Sequence, residues 1–298
     1  MRSPAVLLLV SLAVASAPVG PETAAPTQSP RERELYVSVL DAGGKHVPGV
    51  GPADLIVRED GVSREVLRVR RATEPIDIAL LVDNSVAMTP AITDLRRGLQ
   101  AFIKSIDARN PLALVTFADR PTIAQNYTLD RGQVLQAVER VFAQPGSGTY
   151  LLDAIVEASR GIEKRGSRRA AIVVVTGEGK EFSNTHHQQV VEALEASHAV
   201  MHVVIAEEAG DETTDEEGVQ RGLALDLGTK ETGGRRALLL TSMALADEMT
   251  SIASELNEQY LVTYARPETL IPPEKITVEP RDPARTVRAT PVPEKAAR

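Results

Sequence analysis

The aliphatic run Ile78 to Val82 ends abruptly in Asp83-Asn84-Ser85-Val86-Ala87, and a helical pattern follows. A carboxylate and a hydroxyl two residues apart, at the end of a segment that must be buried, suit two kinds of chemistry. Both are hard oxygen donors of the sort Mg2+ takes. Both also accept hydrogen bonds from the backbone N–H groups that open a turn or a helix. The pentad alone leaves the two open.

Other chemistry-bearing stretches are weaker. The segment "VVVTGEGKE" (173–181) has glycines and a lysine after a strand, but a phosphate loop needs Gly where Val174 stands and Ser or Thr where Glu181 stands. His186 and His187 are adjacent; on a helix they point about 100° apart and cannot share one ion well, so they are expected to be exposed polar positions. The insertion "EEAGDETTDEEG" (207–218) holds seven carboxylates without the alternating spacing or closing Glu of a calcium loop, and is expected to be a solvated, mobile loop. The basic run at 163–170 is expected to be a solvated helix end. No Gly-x-Ser-x-Gly elbow is present, and "GSGT" (146–149) has no assignable acid or base beside it.

These residues need elements to hold them. Apolar runs at 76–82, 111–118, 169–177, 199–208 and 235–241 alternate with helical patterns near 90–107, 131–143, 150–164, 186–197 and 242–259. Near-continuous aliphatic strands flanked by helices predict a Rossmann-like α/β domain over 75–258, a doubly wound, mostly parallel sheet covered on both faces. Ligands in such sheets bind at the carboxyl ends of the strands, where Asp83 and Thr176 fall. Alternating β patterns at 32–74, with a tight turn at Glu59-Asp60-Gly61, and at 259–290 bracket that domain. Neither flank has enough strands to stand alone, so the two are expected to pair into one small β-sandwich-like module.

Composition narrows the function. Among 298 residues there is no Cys and no Trp, aromatic residues are 3%, and the formal charge is -8. Disulfides and thiolate sites are excluded, stacking platforms for sugars or single-stranded nucleic acid are disfavoured, and a nucleic-acid backbone is a poor partner for an acidic chain. Residues 1–17 have an early Arg, an apolar run from Ala5 to Val14 and Ala15-Ser16-Ala17, the pattern of a secretory signal peptide. A flexible leader (18–31) and a disordered tail (291–298) are expected at the ends. No further stretch is apolar enough to span a membrane, and a periplasmic or extracellular location follows.

The order of "DIALLVDNSVAM" (77–88), "GSGTYLLDAI" (146–155), "AIVVVTGEG" (171–179) and "ETGG" (231–234) resembles a von Willebrand factor type A domain. With the flanks "VSVLDAGGKHVPGVGPADLIVREDG" and "IASELNEQYLVTYARP", the chain from about 35 to 290 is similar to the exported bacterial VWFA-related proteins first described in acidobacteria. The resemblance implies a metal-ion-dependent adhesion site: Asp-x-Ser-x-Ser on one loop, Thr on a second and Asp on a third. Asp83, Ser85 and Thr149 match it. Ala87 replaces the second Ser, and Thr176-Gly177-Glu178 replaces the third-loop acid, with Glu178 as a neighbouring carboxylate. The site is therefore a degenerate one, with Asp83, Ser85, Thr149 and Glu178 as ligands if Mg2+ binds at all. The resemblance further implies a non-enzymatic protein that engages a protein partner at this edge, with Asn84, Val86, Tyr150 and Lys180 as contacts. Two alternatives stay open: a scaffold that binds without metal, and a metal-dependent hydrolase with Glu178 as general base.

Overall fold

The computed structural model describes residues 31–206, 215–267 and 271–293. The expected signal peptide, the leader up to residue 30, positions 207–214 of the acidic insertion and the end of the tail lie outside the described residues.

Thirteen strands and six α-helices are described. The strands are β1 (Arg31–Leu40), β2 (Leu55–Glu59), β3 (Val62–Arg64), β4 (Val66–Arg71), β5 (Asp77–Val82), β6 (Leu112–Thr116), β7 (Thr122–Thr128), β8 (Ala170–Gly177), β9 (Ala199–Ala206), β10 (Arg236–Leu239), β11 (Tyr260–Arg266), β12 (Ile276–Pro280) and β13 (Thr286–Pro291). The helices are α1 (Ile92–Ser105), α2 (Arg131–Glu139), α3 (Leu151–Arg165), α4 (His187–Ser197), α5 (Glu216–Thr232) and α6 (Leu245–Asn257).

Six strands form one sheet in the order β10-β9-β8-β5-β6-β7, parallel except for the edge strand β7. Every residue of β8 and β9 is buried, which is why their sequences read as unbroken aliphatic runs. Alternate residues feed two cores. Ile78, Leu80, Val173 and Val175 pack under α1, α2 and α6. Ala79, Leu81, Ile172 and Val174 pack under α3, α4 and α5. Each such Val, Leu or Ile contributes roughly 1.5–3 kcal/mol by leaving water.

The flanks pair as the sequence pattern predicts. β1 lies between β11 and β13, antiparallel to both, and β4 continues past β11. A three-stranded sheet, β12-β2-β3, packs against this one through Leu35, Val37, Leu55, Val57, Val262 and Tyr264. The β2–β3 turn has Asp60 at φ 47° and Gly61 at φ 81°, the two left-handed residues a tight hairpin of matching twist requires.

Two expectations need correction. Helix α5 was not expected: its first residues lie in the segment read as loop. The basic run at 163–170 is not merely a solvated helix end. Arg169 is buried, and its guanidinium donates to Glu74 O (2.9 Å), Leu256 O (2.7 Å) and Gln259 Oε1 (2.9 Å) while lying 4.9 Å over the Tyr36 ring. Arg168 pairs with Glu34. These arginines fasten the α/β unit to the β module. On the other side Arg288 of β13 donates twice to Glu255 of α6 (2.9 and 3.0 Å), and Thr290 Oγ1 donates to Thr232 O (2.6 Å).

Candidate functional site

The chain leaves β5 to β6 on one side and returns to β8 on the other, so the sheet changes direction between β5 and β8. A crevice opens at the carboxyl ends of such strands. Asp83 sits there, fully buried. Its N–H donates to Val175 O (2.8 Å). Its Oδ1 accepts from Ser85 N (2.8 Å), and its Oδ2 accepts from Thr176 Oγ1 (2.9 Å) and Gly177 N (3.1 Å). Asp83 thus closes the turn after β5 and stitches that turn to the end of β8. Ser85 opens the short 3-10 turn Val86–Met88 that leads to α1, yet it makes no side-chain cap, and its Oγ is buried without a partner. Of the two residues expected to accept from backbone N–H groups at this turn, only Asp83 does so.

On the second loop Thr149 is buried and bridged to the third loop: its N–H donates to Lys180 O (2.8 Å) and its carbonyl accepts from Phe182 N (2.8 Å). Its Oγ1 lies 3.2 Å from both Lys180 O and Glu181 Oε2. Glu181 is the carboxylate that faces Thr149, and sequence reasoning missed it in favour of Glu178. Glu181 is 1% exposed, and its Oε1 accepts from Leu151 N (3.2 Å), at the start of α3, and from Ser183 N (3.0 Å). Burial raises its pKa, opposed by Ser183, Arg221 and Thr149. Its position three residues beyond Glu178 carried no spacing signal.

Arg221 of α5 was likewise unforeseen. Asp215 starts that helix by accepting from Gly218 N (2.9 Å), and Gly233 ends it at φ 75°. Between them Arg221 turns inward and is nearly buried. Its Nη2 donates to Thr176 Oγ1 (3.0 Å) and Gly177 O (2.5 Å), the residues that hold Asp83. Burial lowers its pKa, while the carboxylates of Asp83, Glu181 and Glu178 act in the opposite direction. A guanidinium stays charged in such surroundings.

The donors do not fit a bound Mg2+. Asp83 already accepts from three protein donors, and Thr149 Oγ1 points its proton at the third loop. Gly179 fills the space between the first two loops: a Cβ added there would lie 3.0 Å from Ala87 Cβ, 3.4 Å from Thr149 Cγ2 and 3.5 Å from Ser85 Oγ. A Cβ at Gly177, where the resemblance expects an acid, would lie 2.9 Å from the Sδ of buried Met88. Among the described residues no group of three or more His, Asp or Glu side chains could hold an ion. The Ser85 Oγ is left buried without a partner.

Above this buried layer the edge is apolar. Val86 is 47% exposed, Phe142 62% and Phe182 45%. Tyr150 stacks on Phe182 at 6.2 Å, Lys180 Nζ lies 5.4 Å over the same ring, and the Arg96 guanidinium lies 4.4 Å over Phe142. Gly148 permits this: a Cβ there would meet Phe182 Cε2 at 2.0 Å. A hollow of about 630 Å³ opens beside Phe142, bordered by Asn84, Thr116 and Arg140. Asn84 itself is 6% exposed and ties loops together, accepting from Ala118 N (3.1 Å) through Oδ1 and from Gln144 N (2.8 Å) through its carbonyl, so its side chain is not offered to solvent. The histidines stand apart from the site; His187 Nδ1 lies 2.7 Å from Gln220 of α5. A second cleft, about 550 Å³, lies in the seam between the ends of α4 and α5 and strands β12 and β13, away from this edge.

No curated protein matches the chain in sequence. Among solved structures it is similar to a von Willebrand factor type A protein from Catenulispora acidiphila, at 11% identity and TM-score 0.49 over 90% of this chain and 73% of that one. It is also similar to the conserved hypothetical protein BatB from Bacteroides thetaiotaomicron (18%, TM-score 0.45, 60% of this chain and 98% of that one) and to the manganese-loaded TRAP protein of Plasmodium vivax (15%, TM-score 0.45, 71% and 80%). The family model for the von Willebrand factor type A domain matches residues 78–180, from β5 through the loop after β8. The match to the von Willebrand factor type A domain is thus to residues 78–180, within the six-stranded α/β unit.

Proposed function

We propose that the chain is an exported, non-enzymatic binding protein that engages a protein partner at the carboxyl edge of its six-stranded sheet, in the manner of the VWFA-related group its flanks resemble. One observation carries this: Val86, Phe142 and Phe182 present exposed apolar side chains on three separate loops that backbone hydrogen bonds lock to one another. Aromatic groups on a rigid support lose little entropy on binding, and such anchors dominate protein interfaces. Tyr150 and Lys180 border the same surface, whereas Asn84 serves it from beneath. The ligand set Asp83, Ser85, Thr149 and Glu178 is favoured only by the free Ser85 Oγ, and a hydrolase that relies on Glu178 would need the same ion. Metal-independent binding suits the donors better.

The test is site-specific photo-crosslinking in the source cells. A crosslinker at 86, 142 or 182 is expected to trap one common partner, and Phe142→Asp with Phe182→Asp is expected to lower capture at least about tenfold, the loss of one modest anchor. Equal capture from the exposed position 123 on edge strand β7, or no effect of the aspartates, would refute the proposal.

A further inference from the structure

We infer that the Arg221 guanidinium is the resident cation of this edge, covalently supplied by α5, and that the site therefore takes no divalent ion. A buried carboxylate such as Asp83 needs a compensating positive charge or a full set of donors. Here it has both. Three donors satisfy its oxygens, and two of them, Thr176 Oγ1 and Gly177 N, belong to the residues whose oxygens accept from Arg221 Nη2. The guanidinium thus acts on Asp83 through Thr176 and Gly177, and it also sits in the field of Glu178 and Glu181. A dication placed beside Asp83 would be repelled by a fixed positive charge that already acts on that carboxylate.

The departures from the adhesion-site pattern agree with that. Gly177 lacks the third-loop carboxylate, and its carbonyl accepts from the arginine. Ala87 lacks the second hydroxyl, and Gly179 packs close against it. At the two positions that depart from the pattern, 87 and 177, a small residue leaves room for the loops to close. For the partner the consequence is chemical. It gains nothing by presenting a carboxylate as a metal ligand, and chelators leave its binding unchanged. This last statement rests on the edge being the binding face; the occupancy of the site does not, so the experiment below needs no partner.

Millimolar Mg2+ and Mn2+ are titrated calorimetrically into the full chain, and thermal midpoints are compared for the wild type, Asp83→Asn, Arg221→Met and the double variant. The wild type is expected to give no binding heat and no metal-dependent shift. Arg221→Met is expected to melt well below the wild type, and the double variant to melt about 3 °C or more above the additive expectation, because the second substitution removes the charge the first left bare. Metal binding to the wild type that Asp83→Asn abolishes would overturn the inference, as would additive effects of the two substitutions. If Arg221→Met does not fold, the wild-type titration decides alone: Asp83-dependent binding overturns the inference, and its absence supports it.

Discussion

Lowering the pH tests the buried charge balance on the opposite face of the sheet. His202 lies in the middle of β9 with no exposed surface, and neither ring nitrogen has a hydrogen-bond partner. It faces Glu255 of α6, with Arg235 and Arg288 beside that carboxylate. Burial drives the His202 pKa down from 6.5 to about 4; Glu255 pulls it up and the two arginines push it down further. The sign follows from linkage. Above pH 6.5 the ring is neutral in both the folded and unfolded chain and contributes no pH dependence. Between pH 6.5 and 4 the unfolded chain binds a proton that the folded one refuses, so stability falls with pH. At about 1.4 kcal/mol per pH unit the loss is about 2.5 kcal/mol by pH 4.5. Urea denaturation of the wild type and His202→Leu from pH 7.5 to 4.5 isolates the effect, since the other carboxylates and histidines titrate in both. The variant is expected to gain on the wild type by about 2.5 kcal/mol across that range. A difference between the two that stays flat with pH would show that His202 is protonated, or reached by water, inside the fold.

Two further substitutions probe the edge and the seam. Gly177→Asp restores the carboxylate that an adhesion site would have on its third loop, but its Cβ would press on Met88 Sδ and its charge would be buried beside Asp83; it is expected to cost about 3 kcal/mol or more and to confer no Mg2+ binding, measured by thermal melts with and without the ion. Arg169→Ala removes three donors and the stack on Tyr36, with an expected loss of about 2–4 kcal/mol and faster limited proteolysis near residues 74 and 259; an unchanged digestion pattern would mean that the β module is held by other contacts.

The elements that are apolar throughout were the legible ones. β5, β8 and β9 announce themselves because both faces of the sheet are covered, and the Asp60-Gly61 hairpin because its backbone needs left-handed residues. Helix α5 was not legible. Three glycines, at 218, 222 and 228, dilute its helical signal, and its buried face is made of Arg221, Ala224, Leu225, Gly228, Thr229 and Thr232, a set with little apolar periodicity. With the helix unseen, its arginine had no place from which to reach the site. The choice between Glu178 and Glu181 was invisible for another reason. Residues after a strand have no fixed direction, and only the bridge from Thr149 to Glu181 sets which carboxylate turns inward. Asn84 was misplaced as a surface contact because a polar side chain in a loop carries no mark of whether it faces solvent or ties the loop down.

The position of β1 governs how the molecule can be made. Its neighbours β11 and β13 lie more than 200 residues further along the chain, so β1 has no partner in this sheet until that whole stretch has been made. Closing a loop of more than 200 residues costs entropy that grows only with the logarithm of its length, but the search is slow. The inserted α/β domain shortens it. Once folded, that domain holds its two ends together, where Ala72 N–H meets Gln259 O at 2.9 Å, and the unpaired strands are brought face to face at high local concentration. The α/β domain is thus also the assembly jig for the β module that flanks it, and variants that slow its folding will leave the apolar half of β1 exposed to aggregation.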